Sequence, residues 1–251
     1  MNYIIITGAS RGLGRALSLK LSDGNTKVYL VARSIKVLKE VSIDIKNKGG
    51  HSEPIEFDFS EKLDRIANLV DAIIKDVDLN ECSTLTLINN AGLIKPIDFI
   101  GNLNIDDILL SLNTNCTSTI VLINEFIKKT RNLKCTKKVI NITSGVVFNP
   151  LGGWSLYSAS KSAVNNFLET LALEQENNVK VVCFDPGVMD TDIQGYIRNV
   201  DVNKFPYIDK FIKYYNQGEL RSPTSVANKI KEIYIDDWKA KYMFEKIKDY
   251  E

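Results

Sequence analysis

Tyr157 and Lys161 stand four residues apart in Tyr157-Ser158-Ala159-Ser160-Lys161, a spacing that places both on one face of a helix. An ammonium beside a phenol favours the phenolate, so such a pair can pass a proton to or from a substrate oxygen. Tyrosine ordinarily titrates near ~10, and bringing it toward neutrality takes roughly 3–4 kcal/mol of differential stabilisation, much of which a cationic neighbour can supply. The same spacing recurs at Tyr242 and Lys246, so the pair is informative only in company. The first copy has company: Ser144 lies thirteen residues upstream at the end of an apolar run, and a helical pattern extends from Tyr157 through Asn177.

A second group with chemical meaning is Gly8-Ala9-Ser10-Arg11-Gly12-Leu13-Gly14, set between the apolar run Tyr3–Thr7 and the helical pattern Arg15–Leu21. Glycines at a strand-to-helix junction permit a sharp turn, a close approach of backbone to a pyrophosphate, and tight packing of helix on strand. The helix N-terminus then offers free N–H groups to the anion, so dinucleotide binding is expected here. The second strand ends Leu30-Val31-Ala32-Arg33-Ser34, with no carboxylate to accept hydrogen bonds from the ribose hydroxyls. Arg33, with Arg11 in the glycine loop, instead suits a ribose bearing a 2′-phosphate, which a guanidinium binds through paired, charge-assisted hydrogen bonds. NADPH is therefore expected over NADH.

The elements that must position these groups alternate along the chain. Tyr3–Thr7, Lys27–Ala32, Pro54–Asp58, Leu85–Asn89, Lys138–Ser144 and Lys180–Asp185 read as strands, and the longer amphipathic stretches between them as helices. That alternation predicts a doubly wound α/β domain, a mostly parallel sheet with helices on both faces. Ser222-Pro223 opens a further helix to about Asp236, and Lys241–Phe244 reads as a last short strand. The glycine loop, Asn90-Ala91-Gly92, Ser144 and Pro186-Gly187 all fall at carboxyl ends of predicted strands, where an open parallel sheet forms its ligand crevice. The lysine pairs 128–129 and 137–138 read as solvated surface flanking the loop before the fifth strand.

Composition narrows the function classes. The 251 residues are 44% hydrophobic, with no compositional break, and predict one domain. Thirty-two lysines and arginines against 31 acids leave a net charge of +1, which gives no footprint for nucleic acid or an anionic membrane. Four separated cysteines, at 82, 116, 135 and 183, form no CxxC pair and read as reduced thiols rather than a zinc site or disulfide framework. The single histidine, His51, excludes histidine triads and polyhistidine metal centres, so no metal is expected. No run approaches the roughly 18 apolar residues of a membrane span, and a soluble cytoplasmic protein is expected.

The glycine spacing is GxxxGxG, and together with Asn89-Asn90-Ala91-Gly92, Asn115, Ser144, Tyr157, Lys161 and the stretch Pro186-Gly187 to Thr191 it resembles, in order and spacing, the short-chain dehydrogenase/reductase family over most of the chain. The resemblance implies a Rossmann fold in a single domain, residues 1–251, with a substrate-covering segment at about 192–220. It also implies roles. Tyr157 would exchange the proton, Ser144 would orient the substrate oxygen, Lys161 would lower the tyrosine pKa and hold the nicotinamide ribose, and Asn115 would anchor a water-linked relay. Gly8, Ser10, Arg11, Gly12, Leu13 and Gly14 would cradle the dinucleotide; Asp58 and Phe59 would border the adenine; Asn90, Ala91 and Gly92 would line the adenosine and ribose. Pro186, Gly187, Val188 and Thr191 would flank the nicotinamide.

Within that family, Gly153-Trp154-Ser155-Leu156-Tyr157, Leu171-Ala172-Leu173-Glu174 and Pro186 through Gln194 look like the sepiapterin reductase branch and the benzil reductases that form (S)-benzoin. Those enzymes reduce ketones or vicinal diketones with NADPH, which implies a small-molecule carbonyl substrate here. Trp154, with Ser144 and Tyr157, would contact it, and rings among Tyr196, Phe205, Tyr207, Phe211, Tyr214 and Tyr215 would either pack the core or wall the pocket. Residues 239–251 lack the glycine-rich ending that many relatives use for tetramer contacts, so the resemblance carries over no oligomeric state, and a homodimer is one open assembly. Two other readings stay open: an alcohol dehydrogenase of another substrate class, and a dinucleotide-sensing protein without catalysis.

Overall fold

A computed structural model describes residues 1–174 and 179–250. Its sheet has seven strands, all parallel, in the order β3-β2-β1-β4-β5-β6-β7: β1 Asn2–Thr7, β2 Thr26–Ala32, β3 His51–Glu56, β4 Thr84–Asn89, β5 Thr136–Ile142, β6 Val179–Asp185 and β7 Phe244–Lys246. Parallel strands covered on both faces bury consecutive residues, and Tyr3, Ile4, Ile5 and Ile6 of β1 are all buried. Alternate side chains serve opposite layers. Ile4 and Ile6 pack with α1 (Gly12–Leu21), α2 (Ile35–Asn47) and α9 (Pro223–Ile230), through residues such as Leu17, Val41 and Ile230. Tyr3 and Ile5 pack with α3 (Ile66–Asp76), α5 (Ser118–Thr130) and α6 (Ser155–Glu174), through Val70, Phe126 and Leu168. Each such aliphatic or aromatic side chain contributes about 1.5–3 kcal/mol by leaving water.

A third cluster sits over the carboxyl ends of the strands. Ile94, Ile97, Val146 and Trp154 meet Ile197 of α7 (Asp192–Arg198), Phe205, and Ile208 and Phe211 of α8 (Ile208–Asn216). Its residues all follow β4, β5 or β6, and the strand order places the point at which successive connections diverge to opposite sides, leaving a crevice, next to them between β1 and β4. Among the described residues, no helix is long and apolar enough to cross a membrane.

Several sequence expectations change here. The third strand starts and ends earlier than Pro54–Asp58: Phe57 N–H still bonds Ala32 O at 3.0 Å, but the Asp58 carboxylate then takes the Ser60 N–H at 2.8 Å and turns the chain. The last strand is Phe244–Lys246 instead of Lys241–Phe244, because the N–H groups of Lys241 and Tyr242 are held by the buried Glu245 carboxylate. The helix opened by Ser222 and Pro223 finishes in a π turn, Lys231–Ile235. The end of the helical run predicted to Asn177 lies outside the described residues.

The lysines at 137 and 138 are not solvated. They belong to β5, where their side chains reach backbone carbonyls: Lys137 Nζ to Leu133 O at 2.9 Å, and Lys138 Nζ to Tyr234 O at 2.8 Å and Ile235 O at 3.2 Å. Lys138 thereby caps the carbonyls that end the π turn, a position where positive charge is favoured. Lys128 is exposed as expected.

Candidate active site

The first loop is built around Thr7 and Asn90, at the ends of neighbouring strands β1 and β4. Thr7 Oγ1 accepts the N–H groups of Asn90 and Ala91, both at 2.9 Å, and Asn90 Nδ2 donates to Thr7 O at 3.0 Å. This staple brings Asn90 so close that a Cβ on Gly8, which has φ +68°, would lie 2.9 Å from Asn90 Nδ2. A Cβ on Gly14 would lie 2.1 Å from Gly8 O, so α1 can approach the loop only through a glycine.

The crevice beside this loop has a volume of about 280 Å³ and is lined by Gly8, Ser10, Arg11, Gly12, Leu13, Arg33, Asp58, Phe59, Asn90, Ala91, Gly92 and Thr191. Gly14 lies behind it as packing. Arg11 occupies the N-cap of α1 without a side-chain cap, leaving the first-turn N–H groups to an anion. These donors, the glycine cradle and the exposed Arg33 fit a dinucleotide. Two expected contacts are otherwise engaged: the Arg11 guanidinium pairs with Asp192 at 3.0 Å, and Asp58 is hydrogen-bonded within its own turn by Ser60. Ser34, Ser60, Thr114 and Asp192 also line the crevice and were not anticipated, since nothing in their local spacing marks them.

Asn115 lies in a π turn, Asn113–Thr117, between α4 (Ile105–Leu112) and α5. Its amide pairs at both ends with one residue: Oδ1 accepts Leu93 N–H at 2.8 Å and Nδ2 donates to Leu93 O at 2.7 Å. The side chain therefore fastens the loop after β4. Gly92 lies between Asn115 and Lys161, since a Cβ there would sit 3.2 Å from Asn115 Oδ1 and 3.9 Å from Lys161 Nζ.

Helix α6 carries Tyr157 and Lys161 on the face toward β5 and β6. Lys161 is buried, donates to Ile142 O at 2.8 Å, and stands 5.8 Å from the centre of the Tyr157 ring. Burial pulls its ammonium down to about 8. Tyr157 moves opposite to the sequence expectation: burial pushes it up to about 12, a hydrogen bond with Ser144 opposes that rise, and the Asp185 carboxylate adds to it. Lys161 does not offset this. Ser144 also caps the short 3₁₀ turn Gly145–Val147, which holds its hydroxyl at the end of β5.

Ser144, Tyr157, Lys161, Trp154, Pro186, Gly187, Val188 and Thr191 line a pocket of about 350 Å³ next to the dinucleotide crevice. Its wall is largely apolar, from Leu93, Ile94, Val146, Leu151, Ile197 and Phe211. Trp154 meets Tyr157 edge-on at 5.9 Å and stacks on Phe205 at 4.7 Å. The aromatic segment divides: Phe211 and Tyr214 line the pocket, Phe205 is buried behind Trp154, and Tyr196, Tyr207 and Tyr215 are exposed. Gln194 and Asp185 also line it; Gln194 lay in a motif that named no pocket role for it, and Asp185 read only as a strand end.

Residues 2–201 match the family model for short chain dehydrogenases. The chain is 34% identical over 235 residues to a benzil reductase ((S)-benzoin forming) of Bacillus subtilis, covering 90% of each protein. It is 30% identical over 237 residues to the sepiapterin reductase of Rattus norvegicus, covering 90% of this chain and 88% of the relative. The crystal structure of the KRED1-Pglu enzyme superimposes with a TM-score of 0.79 at 26% identity, over 90% of this chain and 92% of that one. With its parallel sheet, glycine loop and Ser144-Tyr157-Lys161 cluster, the chain belongs to the short-chain dehydrogenase family of oxidoreductases and is related to benzil and sepiapterin reductases.

Proposed function

We propose that this chain is an NADPH-dependent carbonyl reductase acting on a ketone or vicinal diketone, with Tyr157 as the general acid. The observation that carries the reading is that Ser144, Tyr157 and Lys161 together line an apolar pocket adjoining the dinucleotide crevice. The kinship with benzil and sepiapterin reductases supports the substrate class. A nicotinamide dinucleotide, when bound, supplies the hydride.

The chain's own residues do the rest. Gly8 to Gly14 hold the pyrophosphate against the first turn of α1, and Arg33 at the crevice mouth favours a 2′-phosphorylated ribose. Ser144 donates to the substrate oxygen and aligns it with the phenol. Tyr157, with its pKa at about 12, keeps its proton through the neutral range until the oxygen gains charge. Lys161 lends positive charge beside the phenol as that proton leaves. The wall of Leu93, Ile94, Val146 and Phe211 excludes water and accommodates an aromatic or bulky dicarbonyl. Free thiols suit a reducing, cytoplasmic setting.

The test follows NADPH and NADH consumption with aromatic diketones, simple ketones and pterin carbonyls, in wild type and Tyr157→Phe. We expect NADPH-linked diketone reduction that falls roughly 10²–10⁴-fold in the variant. Unchanged turnover in the variant would remove Tyr157 from the chemistry, and a strong NADH preference would remove Arg33 from cofactor choice.

A further inference from the structure

The apolar pocket continues outward. Beyond Asp185 and Val188 it opens into a second cavity of about 850 Å³, enclosed by α8, the turn after β6 and the segment 246–248. Asn149, Asp185, Val188, Lys210 and Tyr214 line both spaces, so a ligand can extend from one into the other. The outer cavity differs in charge. Its lining holds four cations, Lys210, Arg221, Lys246 and Lys248, against two acids, Asp185 and Glu219. The whole chain carries a net charge of only +1, so this excess is local.

The three lysines are placed to act on a ligand. Among the described residues none forms an ion pair: Lys210 lies over Tyr214 and Lys246 over Phe244 as ring contacts. Lys246 is the register partner of Asp185 on adjoining strands and lines the outer cavity beside that carboxylate, which borders both spaces. Asp185 feels the charges of Lys246 and Arg221, but no acid forms an ion pair with any of the three lysines among the described residues. Asp185 accepts the Gly187 N–H at 3.0 Å and burial keeps its carboxyl above the ordinary range; Asp249 accepts the Lys246 backbone N–H at 2.7 Å; Glu219 is exposed. Cations around a concave surface concentrate their field within it.

We propose that the outer cavity is an anion subsite, so that the carbonyl compound reduced at Tyr157 carries a carboxylate or phosphate group at the end remote from the reacting carbonyl. This rests on the carbonyl reductase reading above. The inner pocket would take the apolar body of such a substrate, and Lys210, Lys246 and Lys248 its charged end.

The experiment compares kcat/KM for benzil, 4-carboxybenzil, its methyl ester and 4-phosphonobenzil, in wild type and in Lys246→Gln/Lys248→Gln. We expect the acid to exceed its ester by about five-fold, the range of a few exposed charge contacts. The ratio should fall toward one in the double variant, and in wild type as salt is raised. The larger gain of the two anions distinguishes carboxylate from phosphate. An enzyme active on benzil that shows no preference for either anion, or that keeps its preference in the double variant, overturns the subsite. Absence of turnover on all four compounds, together with simple ketones and pterin carbonyls, overturns the reductase reading itself, and the subsite with it.

Discussion

Lys161 Nζ donates to the carbonyl oxygen of Ile142 at 2.8 Å, which anchors the ammonium to the last residue of β5. The same burial that secures this bond lowers the lysine to about 8 and raises Tyr157 to about 12, so the lysine is the member of the pair that titrates near neutrality. For ketone reduction, kcat/KM should fall as pH rises through about 8, with loss of the lysine charge. Lys161→Met should remove that limb and lower the rate at every pH; a pH profile that is the same in both proteins would assign the limb elsewhere.

The same shift has a stability consequence whose sign follows from proton counting. Lysine ordinarily titrates near 10.5, and the folded value here is about 8, so between these values the unfolded chain binds more protons. Stability from this group is therefore present above about 10.5 and lost as pH falls through about 8. Urea denaturation of wild type and Lys161→Met at pH 7 and 10.5 should show wild type gaining on the variant at the higher pH, by on the order of 3 kcal/mol.

Asn115 and Gly92 should fail in different ways. Asn115→Ala strands the N–H and C=O of Leu93, each costing about 1–3 kcal/mol if left unpaired, and a drop in thermal midpoint with a parallel loss of activity is expected. Gly92→Ala places a methyl 3.2 Å from Asn115 Oδ1, close to Lys161, and should lower kcat more than it lowers the midpoint. Calorimetry beside steady-state kinetics separates the two.

Arg33→Ser should weaken NADPH roughly 10- to 100-fold, the worth of a charge-assisted phosphate contact, while leaving NADH affinity within a few-fold. Fluorescence titration of both dinucleotides reads this directly. Equal losses for both would place Arg33 outside phosphate recognition.

Lys138→Met should destabilise by roughly 1–3 kcal/mol, because Tyr234 O and Ile235 O lose their buried donor. Chemical denaturation measures it, and kinetics with saturating cofactor should change little, since Lys138 lies on the face of the sheet covered by α9 and away from the crevice.

Much of the architecture was legible because it is written locally. Ile4 to Ile6 read as a buried strand from their own types, and Ser222-Pro223 as a helix start from their own caps. Strand ends were harder where a nearby carboxylate competes for backbone N–H groups: β3 stops where Asp58 turns back on Ser60, and β7 starts late because Glu245 draws in Lys241 and Tyr242. Lys137 and Lys138 misled because a lysine pair normally marks solvent, and only carbonyls supplied by Leu133, Tyr234 and Ile235 make their burial affordable.

The sequence by itself determined the family, the parallel sheet and the convergence of Ser144, Tyr157 and Lys161 at its carboxyl edge, because motif order and hydrophobic period are properties of short stretches. Tertiary structure decided which way Tyr157 titrates, that Asn115 is spent on Leu93, which aromatic rings reach the pocket, and that Lys210, Lys246 and Lys248 surround a cavity joined to it. Those outcomes depend on desolvation and on contacts between residues far apart in the chain, and no local pattern encodes either.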